Sequence, residues 1–150
     1  MKIRMDYVTN SSSSSFILGF KNVEEIEDVV SELPSYWSEE ARESVVSDIK
    51  QGITSKEEAV QLFKNCLWTI EWKFHGKDYW ELSHEERQSD EYKQFIHNLK
   101  EQLAQDLLNT LNGEEIISIV EYEDHSRLGS ELEHDIMPYL EHTIQRISHH

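Results

Sequence analysis

A run of five serines, Ser11–Ser15, limits most strongly how this chain can fold, because strand-like sequence stands on both sides of it. Before the run, residues 2–8 alternate apolar and polar side chains, which is typical of a half-buried β-strand. After it, residues 16–20 are apolar at successive positions, which suits a more central strand. The sequence therefore predicts two neighbouring strands, with residues 9–14 as the connection between them.

Helical spacing of apolar side chains dominates most of the chain that follows. Asn22 and Ser55 are each followed three residues later by glutamate, which is the capping-box pattern of a helix start. Pro34 and Gly52 are stop signals for the first two helices. Ser130 and Glu133 form a third capping box. The predicted helices span about residues 22–33, 38–51, 55–66, 90–111 and 130–140.

Strand-type alternation returns in residues 68–75, where Trp68, Ile70, Trp72 and Phe74 alternate with polar side chains. Residues 116–122 and 143–148 are predicted as two further strands, the second at a sheet edge. The predicted order is β-β-α-α-α-β-α-β-α-β. It indicates a single α+β domain over residues 1–150, with a mixed or mainly antiparallel sheet and helices packed on it.

The composition of the chain limits which kinds of binding partner and which cellular compartment we expect. The chain has 30 acidic and 14 basic residues and a formal net charge of −16, which disfavours nucleic-acid binding. That charge is compatible with a divalent cation or a basic protein partner. No signal peptide or membrane-spanning run is found, so we expect a cytoplasmic protein without a membrane partner. Cys66, the single cysteine, excludes an internal disulfide and is predicted to be a buried structural thiol.

The opening segment, with its Val-Thr-Asn-Ser-Ser-Ser-Ser-Ser-Phe sequence over residues 8–16, resembles an N-terminal signature of small uncharacterised bacterial proteins. Those proteins begin with a short strand, a Thr-Asn pair, a serine run and a second strand. Residues 128–134 and 147–150 look like a C-terminal pattern found in some of them. The resemblance covers about 16 residues at the front and about 25 at the back of the chain. It implies a bacterial source and no particular chemistry.

The serine run is the first candidate site, and its residues are Asn10, Ser11, Ser12, Ser13, Ser14 and Ser15. Small polar residues in a row can point several N–H and O–H donors at one ligand. They can equally solvate their own turn through side-chain-to-backbone hydrogen bonds. Neither of the glycine-rich phosphate-binding motifs is present. A serine nucleophile would also need a general base within hydrogen-bond reach.

The second candidate site lies in the C-terminal histidine-rich region, where the predicted metal ligands are Asp124, His125, Glu133, His134 and His142. Imidazole and carboxylate are accepted by Zn, Mn and Ni, so a divalent metal is the cofactor that these residues predict. Their spacing matches no established metal motif, and the alternative is a set of surface histidines.

These patterns favour a small ligand-binding or regulatory module that uses the serine run near the histidine-rich region. An acidic protein-interaction module or homo-oligomer is the alternative. A metal-assisted or serine hydrolase ranks third, because no catalytic motif of known spacing is present. Whether the protein is an enzyme stays open, with a preference for a binding role. If the last strand pairs beside the first, Ser, His and Asp side chains would meet at one end of the sheet.

Overall fold

A computed structural model of the chain describes residues 13–67 and 70–149, and within them four strands form one antiparallel sheet. The strands are β1 (Ser13–Phe20), β2 (Ile53–Thr54), β3 (Ile116–Glu123) and β4 (Thr143–Ser148). Their order across the sheet is β2-β3-β1-β4, with every neighbouring pair antiparallel. The predicted α+β class is therefore confirmed.

The helices begin where the sequence offers side-chain caps. Asn22, Ser38, Ser55 and Ser89 each accept a hydrogen bond from the backbone N–H three residues later. The α-helices are α1 (Val23–Asp28), α2 (Glu39–Gln51), α3 (Lys56–Lys64), α4 (His84–Gln88), α5 (Asp90–Leu111) and α6 (Arg127–Ser130). Short 3-10 turns cover Val29–Glu32, Tyr79–Glu81 and Met137–Tyr139, and a π-helical segment covers Glu131–Ile136 directly after α6. None of the helices in the described ranges has the length and apolar character that crossing a bilayer requires.

Strand β1 is apolar on both sides because helices cover both faces of the sheet. Its alternating residues Phe16 and Leu18 pack against α1, α2 and residues 132–140, and we call this side the Ser14 face. Ile17 points the other way, into a core formed with α3 and α5, and we call that side the Ser15 face. Phe16, Ile17 and Leu18 are all completely buried. Burial of this kind contributes about 1.5–3 kcal/mol for each large side chain, so β1 is the strand on which the fold depends.

The strand predicted over residues 68–75 is wrong for the part that the structure describes. Residues 70–73 form no strand, and Phe74 makes only an isolated β-bridge with Lys77, across a turn in which Gly76 has φ 76°. The rings of Trp72 and Phe74 instead pack against Tyr92 and other aromatic residues of α5. In its described part, the apolar side chains of this segment pack against helix α5, and none of these residues pairs with a neighbouring strand.

Three further boundaries differ from expectation. Ser13 and Ser14, predicted to lie in a connection, are strand residues of β1 because both pair with β3. The last helix begins at Arg127, since Ser126 accepts the N–H of Gly129, and the predicted capping box at Ser130 is not used. Strand β2, only two residues long, was not predicted.

The first predicted strand, residues 2–8, and its connection up to residue 12 lie outside the described residues.

Candidate functional site

The start of β1 carries two buried serines at the end of the sheet. Ser14 is fully buried and Ser15 nearly so. Successive residues of a strand point to opposite faces, so the two hydroxyls serve different sides of the sheet. Strand β4 returns beside them, and the backbone N–H of His149 donates to the carbonyl of Ser13 at 3.0 Å. The histidine-rich end of the described chain therefore meets the serine run, at the polar end of the sheet.

On the Ser14 face, the serine hydroxyl lies between a buried carboxylate and a guanidinium group. Ser14 Oγ donates to Glu133 Oε1 at 3.2 Å, and Arg146 Nε donates to Ser14 Oγ at 3.1 Å. Arg146 Nη2 lies 3.7 Å from the same oxygen of Glu133. The Glu133 side chain is 0% exposed. A buried carboxylate is costly unless it is paired and hydrogen-bonded, and Ser14 and Arg146 supply that compensation.

The other oxygen of Glu133 faces a group of metal-ligating side chains. His134 Nε2 lies 3.5 Å from Glu133 Oε2 and 3.8 Å from Asp124 Oδ2. Asp124, Glu133 and His134 each offer one ligand atom, and the three atoms lie within 4.8 Å of one another. Asp124 follows the end of β3, and the other two residues lie on the π-helical segment. π-helical turns occur frequently at functional sites.

The two remaining predicted metal ligands lie elsewhere. His125 Nε2 contacts Glu123 Oε2 at 2.5 Å on the surface. His142 belongs to a different acidic group, with Glu32 and Glu141. Its Nδ1 lies 3.1 Å from the carbonyl of Gly19, and its ring stacks on Phe20 with centroids 4.6 Å apart. The structure therefore brings together three of the five predicted metal ligands.

On the Ser15 face, a serine, a histidine and an acid also meet. Ser15 Oγ lies 2.7 Å from His149 Nε2 and 3.4 Å from Glu121 Oε2. Glu121 Oε2 is in turn 3.5 Å from the same ring nitrogen of His149. In Ser-His-Asp hydrolytic sites the acid binds the ring nitrogen opposite the serine. Here serine and acid approach one nitrogen, so the geometry holds the imidazole in place without a relay across the ring.

Sequence reasoning did not identify Arg146 or Glu121 as members of these groups. Arg146 pairs in register with Phe16, and its guanidinium lies 5.9 Å from the ring centroid. The one signal in the sequence is that Arg146 stands next to Ile147 in a predicted strand. The side chain of Ile147 is fully buried, so that of Arg146 points to the opposite face of the sheet. Finding its partner required knowledge that β4 pairs with β1.

Cys66 is buried, as expected, at the end of α3. Burial raises the pKa of its thiol, because the thiolate is poorly solvated there. A thiol of this kind stays protonated and unreactive near neutral pH. Cys66 is therefore a core residue of the Ser15 face and belongs to neither polar group.

No family model, curated protein or solved structure matches this chain. Its chemistry is therefore inferred from the atoms at the polar end of the sheet.

Proposed function

We propose that the protein is a small binding or regulatory module that takes up a divalent transition-metal cation at Asp124, Glu133 and His134. The observation that carries this proposal is the convergence of their three ligand atoms within 4.8 Å, around a carboxylate that is wholly buried. Two carboxylates and one imidazole suit Zn, Mn and Ni.

The separations between the donor atoms support a cation of this size. Metal–ligand bonds of about 2.0–2.1 Å in a tetrahedral arrangement place neighbouring ligand atoms about 3.3 Å apart. The distances from His134 Nε2 to the two carboxylate oxygens are 3.5 and 3.8 Å. Movements of a few tenths of an ångström would bring these two separations to that spacing, and the Asp124 and Glu133 oxygens lie within 4.8 Å of each other.

Glu133 is the fixed ligand of this proposed site. Ser14 and Arg146 hold its Oε1, which leaves Oε2 directed towards His134. Neighbours that orient a ligating group in this way typically raise metal affinity ten- to a hundredfold. Because one ligand is the His134 imidazole, the site prefers a cation that binds nitrogen over Mg²⁺ or Ca²⁺, which prefer oxygen ligands. Arg146 offsets one of the two carboxylate charges.

The test is metal titration of untagged, chelator-treated protein by isothermal calorimetry and native mass spectrometry, with Zn²⁺, Mn²⁺ and Ni²⁺. We expect one ion per chain, and a loss of affinity of at least tenfold in His134→Gln and in Asp124→Asn. His125→Gln is the matched control, because His125 is a neighbouring surface histidine that pairs with Glu123. Equal affinities in His134→Gln and the wild type would exclude this site, and a loss confined to His125→Gln would move the ion elsewhere.

A further inference from the structure

A cleft of about 920 Å³ opens on the Ser15 face, between α5 on one side and residues 65–67 and 70–80 on the other. Its lining includes the aromatic residues Trp72, Tyr79 and Tyr92, the acids Glu71 and Asp78, and Lys100. A volume of this size is typical of small-molecule sites, which combine apolar walls with a few polar groups. The cleft lies on the opposite face of the sheet from Glu133 and is independent of the proposed metal site.

Aromatic side chains form one end of the cleft. The Trp72 ring centroid lies 6.4 Å from that of Tyr79 and 6.3 Å from that of Tyr92. Phe95 packs behind Trp72 at 5.8 Å and so fixes the position of the indole. Trp80, which also lines the cleft, is 85% exposed. Arg87 covers one face of the Tyr79 ring at 4.3 Å from its centroid. A planar ligand would therefore stack on the indole of Trp72 and on the other face of Tyr79.

Positive charge is available farther along the cleft. Tyr92, Ile96 and Lys100 are spaced four residues apart, so they form one stripe along α5. Eight residues of helix separate Tyr92 from Lys100 by about 12 Å. Within the described parts of the chain, Lys100 takes part in none of the ion pairs, whereas Lys73 in the same cleft is paired with Asp78 at 3.1 Å.

His149 adds a polar group from the sheet. It lines the cleft, and its Nε2 is held by Ser15 Oγ at 2.7 Å. The half-buried Lys100 is suited to bind an anionic group. Because His149 Nε2 already faces Ser15 Oγ and Glu121 Oε2, the imidazole would meet a ligand through its other ring nitrogen.

We infer that this cleft binds a small organic anion that carries a planar aromatic ring. The ring stacks against Trp72 and Tyr79, and the anionic group contacts Lys100, with His149 as a second partner. A molecule about 10–12 Å long, two fused rings with a carboxylate or phosphate, spans the helix stripe between the aromatic end and Lys100.

The test uses 2-naphthoate, 1-naphthyl phosphate, neutral 2-naphthalenemethanol and inorganic phosphate as probes, in calorimetry and tryptophan fluorescence at pH 7. We expect both aromatic anions to bind one per chain, at least tenfold more tightly than the neutral alcohol and than inorganic phosphate. Comparison of the two anions distinguishes a carboxylate ligand from a phosphate ligand. Equal binding of the alcohol and 2-naphthoate would overturn the role of charge.

Two variants locate the ligand in the cleft. Lys100→Gln is expected to weaken 2-naphthoate about tenfold and to leave the alcohol unchanged, whereas Trp72→Leu weakens both. Lys93→Gln, on an exposed position of the same helix, is the matched control and should bind like the wild type. Wild-type affinity for 2-naphthoate in a folded Lys100→Gln protein would refute the proposal, and circular dichroism melting confirms that each variant is folded.

Discussion

At the polar end of the sheet, the Ser14 face and the Ser15 face surround their serines with different groups. Ser14 contacts Glu133 and Arg146, in an ion pair whose acid is fully buried. Ser15 contacts His149, which borders an open cleft. One face is thus a compact ionic network, and the other is an accessible surface. The strand places two kinds of chemistry one residue apart, because its side chains alternate between faces.

Among the substitutions that test this difference between the faces, Arg146→Met is expected to change the free energy of unfolding most. The substitution keeps much of the side-chain volume and leaves the Glu133 carboxylate buried without its guanidinium partner. We expect a loss of about 3 kcal/mol in the free energy of unfolding, because an uncompensated buried charge costs about 3–5 kcal/mol. Urea denaturation measures it.

The double variant Glu133→Gln/Arg146→Met is the control for that prediction. It removes both charges, so it should recover part of the lost stability and show a clear coupling energy. Strictly additive single effects would mean that the two side chains do not form a pair in solution.

Alanine substitution of the two serines compares the faces directly. Ser14→Ala removes a hydrogen bond to a charged, buried group and should cost about 2 kcal/mol of unfolding free energy. Ser15→Ala removes bonds to half-exposed partners and should cost about 1 kcal/mol. Both are measured by urea denaturation at pH 7. If Ser15→Ala proves the more damaging, then the Ser15 face carries more of the stability than its exposure suggests.

The last comparison concerns a pH dependence on the Ser14 face. Tyr122 pairs with Ser14 across the strands, and its hydroxyl donates to Asp48 Oδ2 at 2.9 Å. Burial, followed by the neighbouring Asp48 charge, raises the pKa of Tyr122 above its ordinary value. The unfolded chain then ionises first above about pH 10, and stability falls by up to about 1.4 kcal/mol per pH unit.

Below that pH, the contribution of Tyr122 to stability is constant. In Tyr122→Phe the alkaline fall should be shallower by this amount, as measured by urea midpoints between pH 8 and pH 11. The difference between variant and wild type isolates Tyr122 from the other groups that titrate in the same range. Parallel curves for the two proteins would contradict the burial of the hydroxyl.

Local signals predicted most of the helices, because a cap and an apolar stripe lie within a few residues of each other. Ser55 and Glu58 mark the start of α3 in both sequence and structure. The alternation around Trp72 predicted a strand wrongly, because period-two spacing indicates only that one side of the segment is buried and does not indicate which element buries it. Its cover is α5, some 20 residues away in the chain.

The sequence predicted the candidate site only as a set of residues whose side chains can bind a metal ion. Asp124, Glu133 and His134 were named from their chemistry, and the structure adds that they are close together. Arg146 and Ser14 hold Glu133 from positions 13 and 119 residues away along the chain, so no local pattern connects them. Strand pairing supplies that information, and the sequence contains it only through the fold as a whole.

The π-helical segment Glu131–Ile136 makes the proposed metal site sensitive to residue count. A helix turns by about 100° per residue, and a π-helical turn contains more residues than an α-helical turn. Deleting one residue between α6 and His134 would shift His134 by one position along the helix, a rotation of about 100° relative to α6. Asp124, fixed at the end of β3, would not follow. A change of length with almost no change in composition would thus separate the ligands.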